Sequence, residues 1–160
     1  MNNGIEREMA GADSFLKLGS LAVHYYEDVA GLGNLHAVSG PVTTGGLGSL
    51  VRNLARIDWT VNRLTSLEEN FHVFNPCFWE PRLGELQKKW MREHPGEAYC
   101  ERLIRDFYWQ VFESGLIVDA RLLPDWGTST GATMEKKYLE KLRIPLIRLS
   151  PAFFAGMPAF

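Results

Sequence analysis

What most constrains this chain is a rhythm. Short apolar runs, each stopped by a proline or glycine turn, alternate with segments whose apolar residues recur at helical spacing. Leu35–Ser39 runs into Gly40-Pro41, Phe71–Phe74 into Asn75-Pro76, and Gly115–Leu123 into Pro124, while Ile144–Leu149 forms a fourth run with Pro145 near its start. A residue before proline is pushed out of the helical region, and proline cannot donate to a strand ladder, so these junctions mark strand ends. The intervening helical segments are Ser14–Val29, Leu50–Leu64, Arg82–Glu93, about Glu97–Ser114, and Gly131–Leu142. Strands alternating with helices call for a parallel sheet covered on both faces and joined by right-handed crossovers. The predicted class is α/β: a three-layer α/β/α fold of flavodoxin or Rossmann type, with a mostly parallel sheet of four to five strands. Residues 1–33 are expected to form an N-terminal helical extension, 34–150 the α/β domain, and 151–160 an apolar tail.

A chain of 160 residues that is 46% hydrophobic is long enough for one compact domain with its own core. Its formal net charge of −2 gives no basic excess with which to hold a polyanion, which argues against a nucleic acid polymer as partner but not against a small phosphate-bearing ligand. Cys77 and Cys100 lack the spacing of a metal site or a disulfide framework and are expected to be reduced, buried thiols. Neither a metal nor a cofactor is expected. No apolar run approaches the roughly 20 residues that cross a bilayer, and the first residues lack a basic region followed by an apolar one. The expected location is cytoplasmic, away from membranes.

In parallel α/β sheets ligands bind beyond the carboxyl ends of the strands, near the point where strand order reverses. Ser39-Gly40-Pro41, Asn75-Pro76 and Leu123-Pro124-Asp125-Trp126 should therefore share one rim. From that rim the stretch Trp126–Glu135, rich in Gly, Ser and Thr, runs into a helix whose unpaired N–H groups suit a phosphate or carboxylate. Glu135 falls about one turn inside that helix, where the dipole favours an ionised carboxylate. Such a group is either a nucleophile at a ligand rim or a residue that neutralises the helix N-terminus.

Taken together, Ser39-Gly40-Pro41-Val42-Thr43, Phe74-Asn75-Pro76, Arg105-Asp106, Leu122-Leu-Pro-Asp-Trp126 and Ser129-x-Gly131-Ala132-x-x-Glu135 resemble the nucleoside 2-deoxyribosyltransferase-like superfamily over roughly Leu35–Leu149. Within it they are most similar to the uncharacterised branch whose strands end in S-G-P and L-P-G-W. The resemblance implies cleavage or exchange of the N-glycosidic bond of a nucleoside or nucleotide. Glu135 would be the nucleophile, and Asp106 would protonate or orient the leaving base. Ser39, Gly40, Pro41 and Thr43 would form the first ligand loop, with Asn75 at the second strand end. Ser129 and Gly131 would hold the sugar or its 5'-phosphate. Relatives that hydrolyse 5'-monophosphates carry an Arg in the first loop, where this chain has Thr43 and Thr44.

The chemistry asks for two carboxylates. One stabilises or traps the oxocarbenium-like sugar and the other protonates the departing group, at a separation of about 5–5.5 Å in retaining enzymes. At 100° per residue, Asp106 lies nearly opposite the stripe of Ile104, Phe107, Tyr108 and Val111, on a face with Tyr99 and Trp109. It is either a surface charge or part of a cleft completed by another subunit. Trp126 sits on the rim, either packing or stacking on a base. Arg52 and Arg56 share a helix flank one turn apart, either solvated or meeting a phosphate. Phe153, Phe154, Met157 and Phe160 are too apolar to dangle and should dock on the domain or on a second copy in a homo-oligomer, at least a dimer. Three functions remain: a deoxyribosyltransferase-like enzyme, a nucleoside 5'-monophosphate N-glycosidase, and a nucleotide-binding module of the same fold without chemistry.

Overall fold

The computed structural model describes residues 3–31, 33–67 and 71–160. Met1, Asn2 and Leu32, counted above in the N-terminal extension, lie outside the described residues. Strands β1 (Leu35–Ser39), β2 (His72–Phe74), β3 (Ile117–Leu122) and β4 (Leu146–Arg148) form one parallel sheet in the order β2-β1-β3-β4. Helices α1 (Asn3–Gly11) and α2 (Phe15–Ala30) precede the sheet, and α3 (Leu50–Leu67) joins β1 to β2. The long connection from β2 to β3 holds α4 (Pro76–Glu93) and a composite helix made of α5 (Glu101–Leu103), a π segment (Ile104–Tyr108) and α6 (Trp109–Glu113). Helix α7 (Thr130–Lys141) joins β3 to β4. Right-handed crossovers place α3 on one face and α4 to α7 on the other. The fold is the expected three-layer, Rossmann-like α/β/α sandwich.

Two apolar clusters sandwich the sheet. Leu35, Ala37 and Ala120 pack against Leu18 and Tyr26 of α2, Trp79 and Leu83 of α4, Phe107, and Leu139 of α7. Val38, Val73 and Leu123 meet Ile57, Val61 and Leu64 of α3 on the opposite face. Successive strand residues thus alternate between layers, as the two-residue period requires. On the α3 face, Asp119 accepts two hydrogen bonds from Arg121 and lies 3.0 Å from His36 Nδ1, so the charged residues of β3 are mutually satisfied in a nearly dry environment.

Residues 3–31 are more than an appendage. Phe15, Leu18, Ala22 and Tyr26 belong to the main core, and α1, a helix inside the expected extension but not delimited from the sequence, adds Ile5 and Met9. The tail docks on its own domain: Phe153 and Phe154 lie 6.0 and 5.9 Å from the Trp59 ring of α3.

Helix α4 begins six residues before the expected Arg82. Asn75 caps it, accepting from Cys77 N at 3.0 Å, and Pro76 occupies the first turn, where its missing N–H costs nothing. Pro81 is carried inside the helix. Gly84, in the middle of α4, has ordinary helical geometry, and a Cβ there would meet only Glu80 Oε1, at 3.6 Å. Glycine in a helix interior costs about 1 kcal/mol relative to alanine. Gly84→Ala is therefore expected to raise the melting temperature by roughly 2–4 °C, read by circular dichroism.

Candidate active site

The winding direction reverses between β1 and β3, and the first residues past both strands are stitched together. Gly46 N donates to Thr128 Oγ1 at 2.9 Å, and Thr130 N donates to Thr44 Oγ1 at 3.3 Å. Gly45 has φ +69°, and a Cβ on it would fall 2.3 Å from Thr128 O, so only glycine permits the approach. Ser129, the N-cap of α7, accepts from Ala132 N. Arg56, expected on a solvated flank, is instead buried and pairs with Asp125 at 2.9 Å, tying α3 to the segment after β3.

Glu135, on the inward face of α7, is only 7% exposed. Ser39 Oγ, at the carboxyl end of β1, donates to its Oε2 at 2.6 Å. Burial pushes the Glu135 carboxyl up to about 7, against the pull of the Ser39 hydrogen bond. Desolvation therefore outweighs the helix dipole that favoured ionisation in the sequence reading.

Glu135 lines a small cavity together with Gly40, Glu80, Tyr99, Tyr108 and Gly131. Gly131 lets the Tyr99 hydroxyl approach the start of α7, since a Cβ there would fall 2.5 Å from it and Tyr99 would have to shift. The cavity measures about 20 Å³, enough for a single water. Thr43 and Glu80 also border an adjoining cleft of about 540 Å³ between α4 and the loop that follows β1. Glu80, on the first half of α4, is likewise raised to about 7, chiefly by burial and with Lys88 pulling it back. Two carboxyls of elevated proton affinity thus face one cavity. Nothing in the spacing of Pro76-Cys-Phe-Trp-Glu80 announces the second, because its position depends on α4 starting at Pro76.

Of the residues singled out from the sequence, Gly40, Thr43, Ser129, Gly131 and Glu135 meet at this cavity, with Ser39 bound to Glu135. Pro41 sits beneath the loop, where a Cβ on Gly46 would touch it at 2.7 Å. Three expected contributors stand elsewhere. Asp106 is bound by Arg102 at 2.6 Å and borders a groove with Asp13, Ser14 and Trp90. The π segment turns Ile104, Phe107 and Tyr108 inward, and α2 covers the face left over, packing Gly19 against the Asp106 backbone. That face is thus completed within the chain, and Trp109 stacks on Tyr138 with ring centroids 3.9 Å apart. Asn75 caps α4 and contacts Asp58. Trp126 lies between Lys136 and Arg148, at 5.3 and 5.9 Å from its ring, and does not line the cavity.

Among the described residues, no group of three or more His, Cys, Asp or Glu is placed to hold a metal ion. No described helix is long and apolar enough to cross a membrane. In comparisons with known proteins, no family model, curated protein or solved structure matches this chain.

Proposed function

We propose that this protein cleaves or exchanges the N-glycosidic bond of a nucleoside or nucleotide, with Glu135 as nucleophile. The observation that carries this reading is the buried Glu135 carboxyl, held by Ser39 at the end of β1 and lining one small cavity together with Glu80. Glu80 takes the acid role that Asp106 does not reach. In the first step a Glu135 oxygen bonds to the anomeric carbon as the bond from that carbon to the base nitrogen breaks, and Glu80 delivers a proton to the base. In the second step the acceptor gives its proton to Glu80 and attacks the same carbon, releasing Glu135. A second base as acceptor gives transfer, and water gives hydrolysis. The small cavity must widen to admit a sugar, and Tyr99, half-buried just before α5, is the side chain placed to yield.

The test is to incubate the protein with a panel of nucleosides and 5'-monophosphates, with and without a second base, and to follow free base and new nucleoside by chromatography. The closed cavity favours a second reading, a nucleotide-binding module without chemistry. It requires ligand-induced stabilisation with no base released.

The two carboxyls fix the pH dependence. Activity rises with pH as Glu135 ionises and falls as Glu80 loses its proton, and both changes centre near 7. A narrow bell around neutrality is expected in kcat/KM. Glu80→Gln should remove its alkaline limb while lowering the maximum by about 10²-fold or more. An unchanged alkaline limb would take Glu80 out of the acid role.

A further inference from the structure

The larger cleft beside the candidate active site has an ordered chemistry of its own. Glu80, Gly84, Lys88 and Arg92 all line it, and they recur every four residues along α4. Such spacing puts them on one helix face. The face therefore reads, from the catalytic end outward, as a carboxyl, a stretch of bare backbone, an ammonium and a guanidinium. At 1.5 Å per residue, Lys88 stands about 12 Å along the axis from Glu80, and Arg92 about 18 Å. Neither cation has a carboxylate within salt-bridge distance among the described residues, whereas Glu85, the other acid of the cleft, is drawn to Arg82. No neighbour requires Gly84 to be glycine, so its missing side chain leaves the floor of the cleft free for a ring. Leu50 and Met91 supply apolar wall. At about 540 Å³, the cleft falls within the range of small-molecule sites, roughly 300–1,000 Å³.

We propose that this cleft binds a nucleotide lengthwise, with its phosphates on Lys88 and Arg92, its ring or sugar over Gly84, and its glycosidic bond toward Glu80. The identity of the ring rests on the function proposed above. The charge polarity of the cleft does not. The substrate class is thereby narrowed to phosphorylated nucleosides, with the anion held by α4 and not by the first loop, where the arginine of the hydrolase relatives is absent.

Isothermal titration at low salt tests this with four nucleosides, their 5'-mono-, di- and triphosphates, and inorganic pyrophosphate. Phosphorylated ligands should bind at least about tenfold more tightly than the parent nucleosides. The pair Lys88→Ala and Arg92→Ala should bring them back to the nucleoside level. Gly84→Leu, a change that favours the helix, should abolish nucleotide binding and spare pyrophosphate. Equal affinities for nucleoside and nucleotide, affinities unmoved in the double variant, or no binding at all would overturn the proposal. Pyrophosphate binding as tightly as the nucleotides would reduce the site to one for a free anion and overturn the nucleotide assignment. Base release that is insensitive to Glu135→Gln would instead sink the catalytic reading while leaving these binding results intact.

Discussion

Glu135→Gln is expected to lower base release by at least about 10³-fold, because it removes the group that bonds to the anomeric carbon and leaves a neutral amide of the same size. The substitution is nearly isosteric, and Gln accepts from Ser39 through its carbonyl, so the hydrogen bond at 2.6 Å has a replacement. It also ends the requirement to bury an ionisable group. Burial raises the affinity of Glu135 for a proton, so the neutral side chain should leave the melting temperature at pH 8 unchanged or higher. Loss of turnover together with retained or raised stability is the signature of a chemical role. Equal turnover in wild type and variant would end the nucleophile assignment. Loss of turnover together with a large fall in melting temperature would show Glu135 to be a packing element of α7.

The second large effect is expected at Trp79. Its side chain is fully buried and packs against Tyr25, Tyr26, Phe78 and Phe107, joining α2, α4 and the π segment beneath the sheet. Trp79→Ala removes an indole from the largest cluster, where collapse around the void is limited by the surrounding rings. A loss of about 3–5 kcal/mol follows, equivalent to a fall of on the order of 10 °C in melting temperature. The neighbouring residue is Glu80, so a loosened α4 also misplaces the second carboxyl. Chemical denaturation should show a lower midpoint with an unchanged slope, since the same surface is exposed on unfolding. A variant within 1 °C of wild type would show that α4 is anchored elsewhere.

Periodicity and turn residues were enough to place β1 and the helices α2, α3 and α7 to within a few residues. The signals there are local: Ser14 and Ser129 cap helices, and Gly40-Pro41 stops a strand. The clustering of Ser39, Gly40, Ser129, Gly131 and Glu135 was legible for the same reason, because the rim of a parallel sheet gathers whatever follows its strands. Asp106 was expected at the site and Glu80 was not, because the placement of both depends on non-local facts. A 100° wheel assumes a regular α-helix, and the π segment breaks that regularity at Asp106. An amphipathic wheel also cannot know that α2 will cover the face it leaves free. Glu80 was missed because the helical pattern was read from Arg82 onward, whereas the real start is set by Asn75 and Pro76. Arg56 illustrates the opposite limit: its burial depends on meeting Asp125, 69 residues away.

The stitching of the two rim loops reaches beyond their geometry. Gly46 leans on Thr128 and Thr130 on Thr44, segments 82 and 86 residues apart in sequence, so neither strand exit has an independent hinge. A guest that prises up one lip must lift the other, and the threshold for admission is set jointly by two distant stretches of chain. Evolution acting on either stretch alone would therefore retune access for both.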